Sequence, residues 1–364
     1  MTLPVADQYD IQFGRLSEVH FDWLRARGYA GWVVFVDTNT RRDCLPLIER
    51  YLDHPNVVVV EAPEGEPHKH LGTCEQLWAE LFAGKVGRRW CAVCLGGGVL
   101  EDMAGFVAST YKRGIDFLQI PTTLLSMVDS SVGGKLGVDF RGLKNSIGVF
   151  NDPIGVWIDP LFLNTLPPRE VRSGYAEMVK HALIADNDQW ERLRMITDLT
   201  AVDWERLIPG SVRIKRDIVL EDPYEAGLRK ALNFGHTIGH ALETYWLHTD
   251  ARLLHGEAIA AGMIVESWLS ARLSGLAEND LSTIVAYLHN VYGHQAVPEA
   301  AFPELLELMR QDKKNEDDRI NFTLLEAPGR ARINATAPAE LIEQGLRYYN
   351  LLSPGVGGMG MFDV

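Results

Sequence analysis

Cysteine is scarce in this chain, with four in 364 residues, at Cys44, Cys74, Cys91 and Cys94. They are too few and too clustered to form a disulfide framework. Basic residues are also in deficit. Thirty-five Lys and Arg stand against 49 Asp and Glu, a formal net charge of −14. That argues against a nucleic-acid binder working through a basic surface. No apolar run approaches the roughly 18 residues of a membrane span. The first ten residues carry two Asp and no basic cluster, so no signal or transit segment is expected there. Neither a low-complexity block nor a repeat of fixed period is evident, which disfavours a solenoid. The expectation is a reduced, acidic, cytoplasmic protein without a nucleic-acid or membrane partner.

What the chain does contain is an ordinary globular balance, 46% hydrophobic and 23% charged, over a length that suits two domains at roughly 150 residues each. In the first half, Trp32–Val36, Val57–Val60 and Cys91–Leu95 are near-continuous apolar runs that predict buried strands. Between the last two, Leu71–Ala83 has helical spacing. Strand, helix, strand in this order predicts an α/β domain with a parallel sheet. From Arg169 onward, periodicities near 3.6 dominate, over 174–185, 202–219, 255–273 and 339–351. The Pro167-Pro168 pair is a natural break. The expected organisation is an α/β domain over 1–168, an all-α domain over 169–352 and a flexible glycine-rich tail over 353–364.

Two motifs invite chemistry and fail on geometry. Cys91-x-x-Cys94 lies inside a strand, where residues three apart point to opposite faces, so both read as small core residues. Gly355-Val-Gly357-Gly358-Met-Gly360 matches the dinucleotide pattern, but no strand precedes it and no helix can follow.

Gly96-Gly97-Gly98-Val-Leu-Glu101-Asp102 is better placed, directly after a strand and opening a helix. Consecutive glycines there let backbone N–H groups approach a phosphate, and the helix dipole favours its charge. A plain strand-to-helix turn would also account for it. Pro121-Thr122-Thr123 through Asp129 to Gly133-Gly134-Lys135, followed by Lys144-Asn145, gathers hydroxyl, backbone and cationic donors suited to a phosphate or polyol.

The second half holds the most specific set. His236 and His240 sit at i and i+4, on one helix face, and His255-Gly256-Glu257 opens another helix. Gly174-Tyr-Ala-Glu177-Met-Val-Lys180 supplies a carboxylate and an ammonium one turn apart. A His/His/Glu set with one open position suits a catalytic divalent zinc, and spacing leaves open which of His236 and His240 would bind it. It is not a zincin, because no Glu follows the first His. Lys180, Lys215, Arg229 and the Asp312-Lys313-Lys314-Asn315 run place cations around this set, which points to a phosphorylated or carboxylated small-molecule substrate.

Taken in order, GGGVLED, PTTLLSMVDSSVGGK, LKNSIG, GYAEMVKH, LNFGHTIGHALE and HGEAIAAGM resemble the motifs of the sugar phosphate cyclases, most nearly the 3-dehydroquinate synthase branch. The resemblance runs from about Asp37 to Asn315. It implies a Rossmann-like N-terminal domain, a helical metal-binding C-terminal domain and a homodimer. It also implies NAD and a divalent metal, zinc or alternatively cobalt.

The substrate so implied is 3-deoxy-D-arabino-heptulosonate 7-phosphate, closed to the carbocycle 3-dehydroquinate with loss of phosphate, in the shikimate route to aromatic amino acids. In that chemistry a hydride leaves C5 for NAD and the resulting ketone acidifies the C6 proton. Phosphate is then eliminated, the hydride returns, and ring opening with an aldol closure follows. By match to the family pattern, Glu177, His236 and His255 are metal ligands and His240 serves substrate and proton transfer. Lys135, Lys180, Lys215, Arg229 and Asn233 act on the substrate. Asp129, Asn145, Arg113 (from across the dimer), Lys313 and Lys314 contact it. Asp37, Glu66, Lys69, Gly97, Gly98, Asp102, Thr122, Thr123, Lys135, Lys144 and Thr165 fall on cofactor positions.

Three features depart from the pattern. Glu101 stands where the family usually has Gly, at the turn that would meet the pyrophosphate. The segment between Glu243 and His255 is slightly longer than usual, and the stretch after Leu352 has no counterpart. Rival expectations are a deoxy-inosose or valiolone cyclase, a metal-dependent polyol dehydrogenase with net NAD turnover, and a non-catalytic nucleotide-binding protein.

Overall fold

The computed structural model describes residues 1–141, 143–247, 249–311 and 320–352. The glycine-rich segment 353–364 therefore lies outside the described residues. The chain divides into two compact units. One comprises Met1–Pro167 with Trp204–Arg216, and the other comprises Pro168–Asp203 with the described residues from Asp217 onward.

Among the described residues the first unit is organised on nine strands: β1 (Thr2–Val5), β2 (Tyr9–Phe13), β3 (Gly31–Asp37), β4 (Val57–Ala62), β5 (Trp90–Gly96), β6 (Asp116–Pro121), β7 (Lys135–Phe140), β8 (Leu143–Phe150) and β9 (Val156–Ile158). Seven of them form one sheet in the order β1-β2-β9-β6-β5-β3-β4, while β7 and β8 pair as a separate ribbon. Within the sheet only the β1–β2 hairpin is antiparallel. The three expected strands fall inside β3, β4 and β5, and the helix Leu71–Ala83 forms where its spacing predicts it.

Residues Trp32 to Val36 and Cys91 to Leu95 are wholly buried, as befits central strands of a parallel sheet covered on both faces. Cys94 packs into the cluster of Phe35, Leu77, Ala92 and Val107, and Cys91 does not belong to it. Both are free thiols, and burial pushes both up in pKa, so the strand placement leaves neither a metal-binding nor a redox pair.

The topology also fixes where a ligand can sit. From β3 the chain crosses to β4 on one side and then returns to lay β5 on the other. Such a reversal leaves a crevice beyond the carboxyl ends of the two strands. Those ends are Asp37 and Gly96.

The second unit is helical but not all-α, which corrects the periodicity-based expectation. Between its helices lies an antiparallel ribbon of β10 (Asn321–Ala327) and β11 (Arg330–Thr336). Each strand is too short to interrupt the 3.6 periodicity around it, but the Pro328-Gly329 turn, with Gly329 at φ +80°, carries a turn signature. The helix Pro168–Ala185 starts on Pro168 itself, because the first turn of a helix needs no donor from its opening residue. No helix among the described residues is long and apolar enough to cross a membrane.

Helix Gly98–Thr110 contains a buried carboxyl without a partner. Glu101 is fully buried, and neither of its carboxylate oxygens has a hydrogen-bond partner. Its side chain therefore takes up no surface at the glycine turn. Burial, with Asp102 adding to it, lifts the Glu101 carboxyl well above the usual carboxylate range.

A carboxyl raised in the fold contributes full stability below its unfolded pKa, near 4.5, and loses it as pH climbs toward the folded value. Glu101→Gln should match the parent at about pH 5 and gain on it with rising pH, by up to about 1.4 kcal/mol per pH unit. Urea unfolding at a series of pH values checks this. A difference independent of pH would contradict it.

Candidate functional sites in the two units

In the first unit the glycine turn is shaped by close backbone packing. A Cβ on Gly97 would lie 2.9 Å from Thr123 Cγ2, and one on Gly98 2.8 Å from Ser130 Oγ. The turn thus accepts glycine alone without displacing the Thr123–Ser130 segment. Gly97 is the extended N-cap of helix Gly98–Thr110 and makes no side-chain cap, which leaves the first-turn N–H groups available to an anion. Thr122 is tied to the same turn by donating its N–H to the Gly96 carbonyl at 2.9 Å.

A polar cluster gathers residues that are far apart in sequence. Lys69, only 4% exposed, donates to Asp102 Oδ2 and to Asn145 Oδ1, both at 2.6 Å. Lys144 pairs with Glu66 at 3.2 Å. Burial works against the Lys69 ammonium, but Asp102 and Glu66 outweigh it and raise its pKa. Asp102 is raised as well, by burial, with Lys69 pulling the other way.

Asp139 joins this cluster and was not anticipated. Its N–H donates to the Lys69 carbonyl at 2.8 Å, and its carboxylate accepts the Asn145 N–H at 2.7 Å. That contact holds Asn145 in the left-handed region, at φ +48°. A GVDF run looks like plain strand, so no local signal marks it.

Lys215 joins Asp129 at 2.6 Å through its carboxylate, and it also donates to the Asp129 carbonyl. Asp37 caps the helix Thr38–Asp43 by accepting the Thr40 N–H at 2.8 Å. Thr123 donates to Ser126 Oγ at 2.9 Å, and Lys135 opens β7 from an exposed position.

Two expected residues are not brought to the cluster. Thr165 is exposed at the end of the turn Pro160–Thr165 and donates to the Phe162 carbonyl. Arg113 is exposed just past helix Gly98–Thr110, roughly 20 Å along its axis from Gly98 at 1.5 Å per residue.

In the second unit three helices converge on Glu177. It lies on Pro168–Ala185 with no exposed surface. Its Oε1 is 3.6 Å from His236 Nε2, at the start of helix His236–Trp246, and 3.5 Å from His255 Nε2, at the start of helix His255–Leu273. Its Oε2 contacts Lys180 Nζ, one turn further on.

The far nitrogens of both histidines are engaged. His236 Nδ1 donates to the Phe234 carbonyl at 3.1 Å, and His255 Nδ1 meets Glu243 Oε2 at 3.4 Å. These contacts orient each ring so that its Nε2 faces Glu177. Ligands at ~2.1 Å from a tetrahedral ion are about 3.4 Å apart, which the two Glu177–histidine separations approach, and all three potential ligand atoms lie within 4.8 Å of one another. His240 lies close by, its ring 5.0 Å from that of His236 and 5.9 Å from that of His255. It shares with Glu243 and His255 a second group of potential ligand atoms.

Several supporting residues escaped the motif reading. Glu266, fully buried, accepts the N–H groups of Gly235 at 2.6 Å and Ile238 at 3.1 Å, which satisfies the open helix start that carries His236. Asp222 accepts the N–H groups of Ala226, Gly227 and Arg229. It thereby shapes the loop on which Arg229 donates to the Pro223 carbonyl at 2.5 Å and Asn233 to Glu225 at 2.8 Å. The Asp-Pro-x-x-x-Gly spacing of that loop is a turn signature that could have singled it out. Lys313 and Lys314 lie outside the described residues.

The 3-dehydroquinate synthase N-terminal family matches residues 59–173, and the 3-dehydroquinate synthase C-terminal family matches residues 174–315. The curated 3-dehydroquinate synthase of Parabacteroides distasonis is 41% identical over 331 residues, covering 90% of this chain and 94% of its own. Among solved structures, a 2-deoxy-scyllo-inosose synthase complexed with carbaglucose-6-phosphate, NAD+ and Co2+ superposes with a TM-score of 0.82 at 25% identity, covering 96% of this chain and 99% of that one. A 2-epi-5-epi-valiolone synthase from Streptomyces hygroscopicus with NAD+ and Zn2+ bound gives 0.81 at 25% identity, covering 94% and 96%. With two adjoining matches spanning residues 59 to 315 and a relative 41% identical along nearly its whole length, the chain belongs to the 3-dehydroquinate synthase family.

Proposed function

We propose that this chain is a 3-dehydroquinate synthase, converting 3-deoxy-D-arabino-heptulosonate 7-phosphate to 3-dehydroquinate and phosphate with NAD and a divalent metal, zinc or cobalt. The carrying observation is the buried triangle of Glu177, His236 and His255, with Nε2–Oε1 separations of 3.5 and 3.6 Å and Lys180 beside it. Its donor set and spacing fit a zinc-type ion. The 41% identity to a dehydroquinate synthase, against 25% to the inosose and valiolone enzymes, favours this substrate over theirs. The protein is proposed to act in the cytoplasm as a homodimer. Arg113, exposed and away from its own unit's polar cluster, supports a contact made to a second copy.

When bound, the metal would supply a Lewis acid to the substrate, and NAD would supply a hydride acceptor that is regenerated within the turnover. Glu177, His236 and His255 would hold the metal, with the Phe234 carbonyl and Glu243 orienting the two imidazoles through their Nδ1 atoms. Glycines 97 and 98 present helix N–H groups to the pyrophosphate, with Asp37, Glu66, Lys69, Asp102, Thr122, Thr123 and Lys144 placing the rest of NAD; Thr165, turned to its own Phe162 carbonyl, is left out of that set. Asp129, Lys135, Asn145, Lys180, Lys215, Arg229 and Asn233 hold the substrate's phosphate, carboxylate and hydroxyls. Their contribution is orientation and a fixed electrostatic field. His240 takes the proton of the hydroxyl that is oxidised.

Three outcomes follow. His255→Ala should abolish zinc binding, and a purified variant that retains stoichiometric zinc by elemental analysis would sink the ligand assignment. In the metal-free protein, burial lowers the His255 pKa, but Glu177 and Glu243 win and raise it to about 9. A His raised in this way stabilises the metal-free fold fully below its ordinary value of 6.5 and progressively less as pH rises through about 9. Zinc must displace that proton, so its affinity should climb across this window with about one proton released per ion at pH 7.5, read with an indicator dye. A flat profile is the contrary result.

Finally, phosphate release from 3-deoxy-D-arabino-heptulosonate 7-phosphate should far exceed sub-stoichiometric NAD, with no lasting absorbance at the NADH band. Release from glucose 6-phosphate instead would reassign the substrate. NADH accumulation without phosphate would replace the cyclase with a dehydrogenase.

A further inference from the structure

We infer that Glu257 is a positioning residue for the metal triangle: with Arg169, Arg172 and Ser173 it pins the start of helix His255–Leu273 to helix Pro168–Ala185, so that His255 and Glu177 face each other at ligating distance before any ion arrives. The inference rests on the reading of Glu177 and His255 as metal ligands.

Glu257 is 8% exposed and accepts four hydrogen bonds. Arg169 grips it with two prongs, Nε to Oε1 at 2.8 Å and Nη2 to Oε2 at 2.7 Å. Arg172 Nη2 reaches Oε1 at 3.0 Å, and the Leu254 N–H donates to Oε2 at 2.8 Å. A two-pronged Arg–carboxylate contact fixes angle as well as distance. The Leu254 contact also satisfies an otherwise open donor at the helix start, so the same carboxylate shapes its own helix and ties it to the neighbour.

One residue earlier the backbones themselves meet. The Gly256 N–H donates to Ser173 Oγ at 2.9 Å, and a Cβ on Gly256 would fall 1.9 Å from the Ser173 carbonyl oxygen. No other residue fits there. Both anchors lie beside the ligands. On Pro168–Ala185 the order Arg169, Arg172, Ser173, Glu177 follows i, i+3, i+4, i+8, one face of the helix. On the partner helix His255, Gly256 and Glu257 are consecutive. Tyr292 steadies the arrangement from a third helix, its hydroxyl donating to the Arg172 carbonyl at 3.0 Å.

Glu257 touches neither His255 Nε2 nor Glu177, so its influence passes through geometry alone. Outer residues that orient ligands typically affect metal affinity by about 10–100-fold. That is the size expected for Glu257→Gln, which keeps shape and removes the charge that Arg169 and Arg172 share.

The test uses the full chain. Zinc affinity is measured by chelator competition, and the visible spectrum of the cobalt-substituted protein reports ligand geometry. Melting is recorded with and without metal. Glu257→Gln should bind zinc about 10–100-fold more weakly, with shifted cobalt bands and a smaller rise in melting temperature on adding metal. Arg169→Lys keeps the charge but loses the two-pronged contact, so it should fall between the parent and Glu257→Gln. It carries the same readouts if Glu257→Gln does not fold. Glu299→Gln, which removes an exposed ion pair with Arg347 in the same unit, should leave all three unchanged.

Loss of metal in His255→Ala together with parent-like zinc affinity and cobalt spectra in the Glu257 and Arg169 variants would overturn the inference, whatever their melting temperatures. Retention of metal in His255→Ala would instead overturn the ligand assignment beneath it.

Discussion

A carboxylate with no exposed surface has to be compensated from within the protein, since an uncompensated buried charge costs several kcal/mol. Glu177 is that group here, and the second unit is arranged around supplying its partners. Lys180 comes from its own helix, His236 and His255 from the starts of two others. A histidine at a helix start is set by how that start is held, so the constraint passes outward to the residues that hold it. Glu266 does this for the His236 helix, and Glu257 for the His255 helix. Both belong to His255–Leu273, which makes that one helix the common reference for two of the three corners of the triangle.

The first unit solves a different problem. An anion needs donors that are not already used, and a parallel sheet supplies them where a strand hands over to a helix at a reversal of strand order. Gly97 and Gly98 keep that handover thin enough to pack against Thr123 and Ser130. The cations nearby are held in place by acids, as Lys69 is by Asp102 and Lys144 by Glu66. Each pair therefore combines a fixed position with little net charge, which suits a site that orients a ligand more than it attracts one.

What the sequence makes legible is what lies within a helical turn or a strand. The i, i+4 histidines, the Glu177–Lys180 turn, the glycine turn after β5 and the buried strands are all local patterns, and each occurs where its spacing places it. The choice between His236 and His240 is not local in that sense. It depends on which ring nitrogen the Phe234 carbonyl occupies and on where Glu177 arrives from a helix some sixty residues earlier. The pairing of Lys69 with Asn145, of Arg169 with Glu257 and of Lys215 with Asp129 likewise spans long stretches of chain. Periodicity carries no information about such partners. The β10–β11 ribbon was missed for a simpler reason: seven-residue strands flanked by strong helices barely disturb a 3.6-residue pattern.

Two buried glutamates separate stability from function most clearly. Glu101 and Glu177 are both fully inside the protein, yet one has no hydrogen-bond partner for either oxygen and the other sits among an ammonium and two imidazoles. A carboxyl without partners lowers its cost by taking up a proton, and burial drives Glu101 in that direction. A carboxyl ringed by cationic and potentially ligating groups can remain charged, and only a charged carboxylate can bind a metal. The contrast lies in the surroundings and not in the residue type, so burial alone would have assigned both the same role. Neighbouring groups, not burial, separate Glu101, a local cost to the fold of its unit, from Glu177, whose oxygens meet Lys180, His236 and His255.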